Sequence, residues 1–129
     1  MSIPLLVVDG ANVVGSVPDG WWRDRAGAAV RLRDRLVTIT PAGLPDLPGE
    51  AALPGPVEVV LVVEGRARDI PAVDGVRLER APGSGDDAIV AVVRAAAGRR
   101  VVVVTADRAL RRRVTALGAE VIGPSAIPR

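Results

Sequence analysis

The sequence predicts an open parallel α/β sheet with helices on both faces, and three observations carry that reading. Its strand-like segments, such as Val59-Val60-Leu61-Val62-Val63 and Val101-Val102-Val103-Val104, are continuous apolar runs. Strands covered on both faces need such runs, whereas half-exposed strands alternate. Segments of helical spacing lie between them, as crossover connections require. Finally, acids follow the runs, and in open α/β sheets ligands bind beyond the carboxyl ends of the strands.

The elements follow in order. Leu5-Leu6-Val7-Val8 ends in Asp9 and is read as the first strand. Val8-Asp9-Gly10-Ala11-Asn12 then forms a small turn, with Asn12 three residues after the acid. Residues 24–37 are read as a helix with Ala26, Ala29, Val30, Leu36 and Val37 on one stripe between arginines. Residues 41–56 (PAGLPDLPGEAALPGP) are read as a loop or poorly ordered connection, because their prolines oppose a helix. Residues 59–63 and 76–81 make two more strands, followed by Glu64 and Asp86. Residues 86–97 place Ile89, Val92, Val93 and Ala96 at helical spacing, and residues 107–117 place Leu110, Val114 and Leu117 on one face. Gly98 and Gly118 stand where helices end in glycine. A last short strand precedes the tail. With 129 residues, 49% of them hydrophobic, residues 1–129 suit a single domain with one real core.

Composition removes whole classes of chemistry. The chain has no His, Cys, Tyr or Phe, and all seventeen basic residues are arginine. Serine–histidine and cysteine–histidine catalysis are excluded, as are thiolate or imidazole zinc sites. Schiff-base chemistry, the phosphate-binding loop and aspartyl-phosphate enzymes all rely on a lysine that is missing. What remains is carboxylate, hydroxyl, amide and guanidinium, a set suited to Mg²⁺ or Mn²⁺. Net charge is only +2 although the pI is near 10.8; the arginines cluster in the first and last thirds, where they suit phosphate or simply solvate helix faces. No run is long enough to span a membrane, and no signal peptide is expected, so the location expected is cytoplasmic.

Four acids carry the candidate chemistry: Asp9, Glu64, Asp86 and Asp107. Clustered carboxylates repel and raise one another's pKa values, which points to a divalent cation among them. Each has a plainer reading. Asp9 and Asn12 can cap a turn, Glu64 can be the first solvated residue after a buried strand, and Thr105 or Asp107 can cap the helix that follows. Gly83-Ser84-Gly85-Asp86-Asp87 resembles a capping box from Ser84 to Asp87, which gives Asp87 a structural task and leaves Asp86 as the ligand. Arg66 and Arg68 lie on the same rim and can hold phosphate. Trp21 and Trp22, the only aromatics, can stack unpaired bases or fill a domain edge.

VDGANVVGS, GSGDDAIV and VVTADRALRRRVTALGAEVIGPS, in that order and spacing, resemble the NYN domains of the PIN-like superfamily, especially the bacterial YacP-like ribonucleases. The resemblance covers most of the chain and is weakest over residues 41–56. It implies a PIN-like sheet of order 3-2-1-4-5 and Mg²⁺- or Mn²⁺-dependent cleavage of RNA, expected to be single-stranded. A ribosome or protein partner is compatible with it. Carried onto this chain, it points to Asp9, Asn12, Asp86 and Asp107 with Asp87 beside them, and it leaves Glu64, Ser84, Thr105, Arg66, Arg68 and Arg108 to complete the metal and substrate sites. The chain departs from the family's usual pattern at Glu64, where Asp is usual, and in lacking lysines and the last helix of longer members. These departures keep open an inactive, RNA- or protein-binding module. A DNA 5′-nuclease is not expected, because that branch carries helical insertions for which this chain has no room.

Overall fold

The computed structural model describes residues 2–129. Its core is a five-stranded, all-parallel sheet built from β1 (Leu5–Asp9), β2 (Glu58–Val63), β3 (Arg77–Arg80), β4 (Val101–Val104) and β5 (Glu120–Ile122). The spatial order is β3-β2-β1-β4-β5, the 3-2-1-4-5 order expected. β1 lies at the centre, with Leu5 opposite both Glu58 and Val101.

The continuous apolar runs have a direct cause. Successive residues of a strand point to opposite faces, and here both faces are covered. Leu6, Val8, Leu61, Val63, Val102 and Val104 pack on one side against α1 (Gly10–Gly15) and α2 (Arg25–Leu36). Leu5, Val7, Val60, Val62, Val101 and Val103 pack on the other against α4 (Gly85–Ala95) and α5 (Arg108–Thr115). Each such Val or Leu stabilises the fold by about 1.5–3 kcal/mol through removal from water. A charge at Val7 would have no solvent to reach on either face.

Three readings of the sequence are corrected. The stripe of α2 runs through Ala29, Leu32, Arg33 and Leu36, and Val37 is exposed. Arg33 occupies a core-facing position because its guanidinium reaches the Pro71 carbonyl and Asp34. Leu117 lies past the end of α5 and is exposed. Residues 41–56 are also organised rather than a bare connection. A short helix α3 (Ile39–Ala42) runs into an antiparallel ribbon of Gly43–Leu44 and Leu53–Pro54, whose two leucines are buried in the core. Arg100 holds the tip by donating to the carbonyls of Glu50 and Ala52, with Glu120 as its ion partner. Apolar side chains on either side of a tight approach, and not local propensity, thus order this proline-rich stretch.

Candidate functional site

All four acids lie at the carboxyl edge of the sheet. Asp9 is the last residue of β1 and the N-cap of α1. Its Oδ1 accepts from the Asn12 backbone N–H at 3.3 Å and its Oδ2 from the Thr105 hydroxyl at 2.8 Å, and it is only 7% exposed. The turn directly after it requires glycine: a Cβ on Gly10 would lie 2.5 Å from the Val62 carbonyl oxygen of β2. Glu64 follows β2 and accepts from the Gly85 N–H at the start of α4. Gly85 is the matching close approach, since a Cβ there would stand 2.9 Å from Glu64 Oε2. Asp107 caps α5 by accepting from the Leu110 N–H at 2.9 Å, while its own N–H donates to Thr105 Oγ1 at 3.1 Å. Asp86 sits in the first turn of α4, and no hydrogen bond reaches its carboxylate among the described residues.

The acids therefore divide in two ways. Three of them complement helix N-termini, where unsatisfied N–H groups and the helix dipole favour negative charge. Asp9 and Asp86, however, are pushed above the ordinary carboxylate range. For Asp9 the main cause is burial; the Thr105 and Asn12 hydrogen bonds oppose it, and the charges of Asp86 and Glu64 add to it. For Asp86 burial again leads, followed by repulsion from Asp107 and Glu64, with Arg113 opposing. This mutual repulsion ties four distant segments into one electrostatic unit.

The other expected residues fall into place around the acids. Asn12 Oδ1 accepts from the Ala106 N–H at 2.8 Å, which leaves its amide group as the part free to meet a ligand. Ser84 caps α4 by accepting from the Asp86 N–H, and the reciprocal half of the capping box is not formed. The Asp87 carboxylate instead pairs with Arg113 at 3.0 Å on the surface. Thr105 was expected to meet substrate; it is buried, and its hydroxyl is committed to Asp9 and Asp107. It is a positioning residue for two acids. Arg66, Arg68 and Arg108 are exposed and form no ion pair among the described residues.

Beside Glu64 opens a cleft of about 440 Å³. Its walls include Val14 of α1, Trp21 in the turn before α2, Arg25 and Ala29 of α2, and Arg66 after β2. The sequence marks Trp21 as a stacking or packing residue but does not single out Arg25. Its signal was its position in the first turn of a helix that packs on the same face as α1.

An all-oxygen set of this kind fits Mg²⁺ or Mn²⁺ in chemistry, and a cation would relieve the repulsion on Asp9 and Asp86. Among the described residues, Glu64 and Asp107 each keep an oxygen without a hydrogen bond, and Asp86 keeps both. Among the described residues, however, no three acids stand close enough around one point to ligate a single ion. Three of them are turned onto backbone N–H groups. Ligation therefore calls for side-chain rotation, most freely at Asp86.

No family model matches the chain, and no curated protein does either. Among solved structures, a crystal structure of a point mutant of Rae1 (YacP) from Bacillus subtilis superposes with a TM-score of 0.66. The two are 16% identical over 95% of this chain and 70% of that one. At that identity the likeness shows the fold: this chain has the α/β architecture of YacP. No helix among the described residues is long and apolar enough to cross a membrane.

Proposed function

We propose that this domain is a metal-dependent ribonuclease that hydrolyses phosphodiester bonds in RNA. One observation carries the reading: four acids from four separate segments lie along the ligand-binding edge of the sheet, and two of them, Asp9 and Asp86, are pushed above the ordinary carboxylate range by burial and by the charge of neighbouring acids. The YacP-like fold and the motif resemblance agree with it.

In this reading Asp9, Glu64, Asp86 and Asp107 hold Mg²⁺ or Mn²⁺. The ion, when bound, supplies a lowered pKa for the attacking water and neutralises charge on the phosphate. The chain's own residues set the geometry. Thr105 fixes Asp9 and the backbone of Asp107 relative to one another, and Gly85 fixes Glu64. Asp86, whose carboxylate accepts no hydrogen bond among the described residues, is the member freest to turn. The Asn12 amide, Arg66, Arg68 and Arg108 donate to phosphate oxygens and orient the strand. Water attacks phosphorus as the bond to the 3′ oxygen breaks, leaving a 5′-phosphate and a 3′-hydroxyl. The test is cleavage of single-stranded RNA with Mn²⁺ by wild type, Asp9→Asn, Asp86→Asn and Asp107→Asn. Loss of cleavage in the variants supports the assignment, and undiminished cleavage in all three overturns it.

A second reading, a non-catalytic RNA- or protein-binding module, is favoured by the engagement of three acids as helix caps. It is recognised by RNA affinity that neither Mn²⁺ nor loss of the acids changes.

A further inference from the structure

The cleft beside Glu64 does not stand alone. A second hollow, lined by Trp22, Arg23, Asp24, Ala26 and two residues shared with the first, adjoins it. The shared residues are Arg25 and Arg66. Trp21 thus walls the first hollow and Trp22 the second, while both guanidiniums line the two of them. Trp22 is 55% exposed, the most exposed large apolar side chain among the described residues. Among the described residues, neither Arg25 nor Arg66 has an acidic partner.

From this arrangement we infer that the two hollows form a dinucleotide track for unpaired RNA. The inference rests on the ribonuclease reading for the identity of the strand. One base enters the first cleft against Trp21, the linking phosphate lies between Arg25 and Arg66, and the next base lies on Trp22. The volume of the first cleft falls within the range of small-ligand sites, so a base fits with room for its sugar. Guanidinium groups already sit near both rings, Arg25 at 5.5 Å from the Trp21 centroid and Arg23 at 5.8 Å from that of Trp22. Each platform is thus flanked by a cation, which suits an anionic strand.

The geometry also selects the form of the strand. The two indoles meet edge to face, 6.0 Å apart and 88° from parallel. Bases in a duplex are parallel, so no two neighbours of a helix can lie on both rings together. Only a strand whose bases are splayed apart satisfies both platforms.

The two tryptophans are the only aromatic residues, so intrinsic fluorescence reports on this track alone. In EDTA, where cleavage is blocked, titration with a ten-nucleotide single-stranded RNA is expected to quench the emission saturably. Trp21→Leu and Trp22→Leu should each weaken binding about tenfold, as measured by anisotropy of a labelled RNA. Arg66→Ala, an exposed position that the fold does not depend on, should weaken it severalfold and flatten its salt dependence. The same RNA annealed to its complement should neither quench nor bind as tightly. Unchanged affinity in both tryptophan variants, or equal quenching by duplex and single strand, overturns the track. The ribonuclease reading fails separately: quenching by a wild-type protein that cleaves no RNA with Mn²⁺ leaves the track standing and removes the nuclease.

Discussion

The Thr105 hydroxyl joins Asp9 to Asp107. It donates to Asp9 Oδ2 at 2.8 Å and accepts from the Asp107 N–H at 3.1 Å, so one buried side chain sets the spacing of two strand ends. Thr105→Val keeps the shape and removes both bonds. It is expected to destabilise the fold by about 1–3 kcal/mol in urea unfolding, because a buried carboxylate loses its donor. Activity should fall and its acid limb should move to higher pH, as Asp9 loses a bond that lowers its pKa. Thr105→Ser should restore both properties.

The raised pKa values of Asp9 and Asp86 give a pH signature in metal-free protein. Each group binds its proton more tightly folded than unfolded, so in the window above the ordinary carboxylate value the native state holds more protons. Stability contributed by these groups therefore falls as pH rises through that window and levels off above it. Asp86→Asn removes one such group. Its stability relative to wild type should increase across the same window, measured by denaturant unfolding in EDTA; a constant difference would contradict the coupling.

Glu64 separates reach from charge. Its longer side chain bridges from the end of β2 to the Gly85 N–H of α4. Glu64→Gln keeps an acceptor and should retain stability within about 1 kcal/mol while losing cleavage. Glu64→Asp keeps the charge but shortens the bridge, and should lose stability and part of the activity. Thermal unfolding and RNA cleavage measured on both variants give the comparison.

Mn²⁺ should stabilise the protein. At an ion concentration about a hundred times its dissociation constant, binding adds about 2.7 kcal/mol, which a melting curve reads as several degrees. Asp86→Asn and Asp107→Asn should remove most of that shift, whereas Asp87→Asn, whose carboxylate pairs with Arg113, should leave it in place.

Arg100 is expected to act as the clasp of the proline-rich ribbon. Arg100→Ala removes its bonds to the Glu50 and Ala52 carbonyls. Amide exchange should accelerate at Ala51 and Ala52, whose N–H groups form the tip's own turn, while the sheet stays protected.

Much of this architecture was legible because burial writes itself into composition. A strand covered on both faces leaves runs such as Val101-Val102-Val103-Val104, and α4 shows its spacing through Ile89, Val92 and Val93. The acids were legible as a set because each follows a segment that reads as a strand. Less accessible was what one segment does for another. Thr105 looks like a local cap until β4 is laid beside β1. The ribbon of residues 43–54 hides behind its prolines, since only tertiary burial of Leu44 and Leu53 orders it. Arg33 breaks the apolar pattern of α2 because its partner, the Pro71 carbonyl, is thirty-eight residues away.

The central place of β1 has a consequence for how the protein comes into being. Its first residue pairs with Glu58 on one side and Val101 on the other, so the strand made first is flanked last. Loop closures of this length are slow and belong to the later stages of folding. A nascent chain that ends before β4 lacks Thr105 and Asp107 and has only one neighbour for β1. The four carboxylates can therefore act together only after synthesis has passed the last of them. Such a chain carries the acids of β1 and β2 without the one that follows β4.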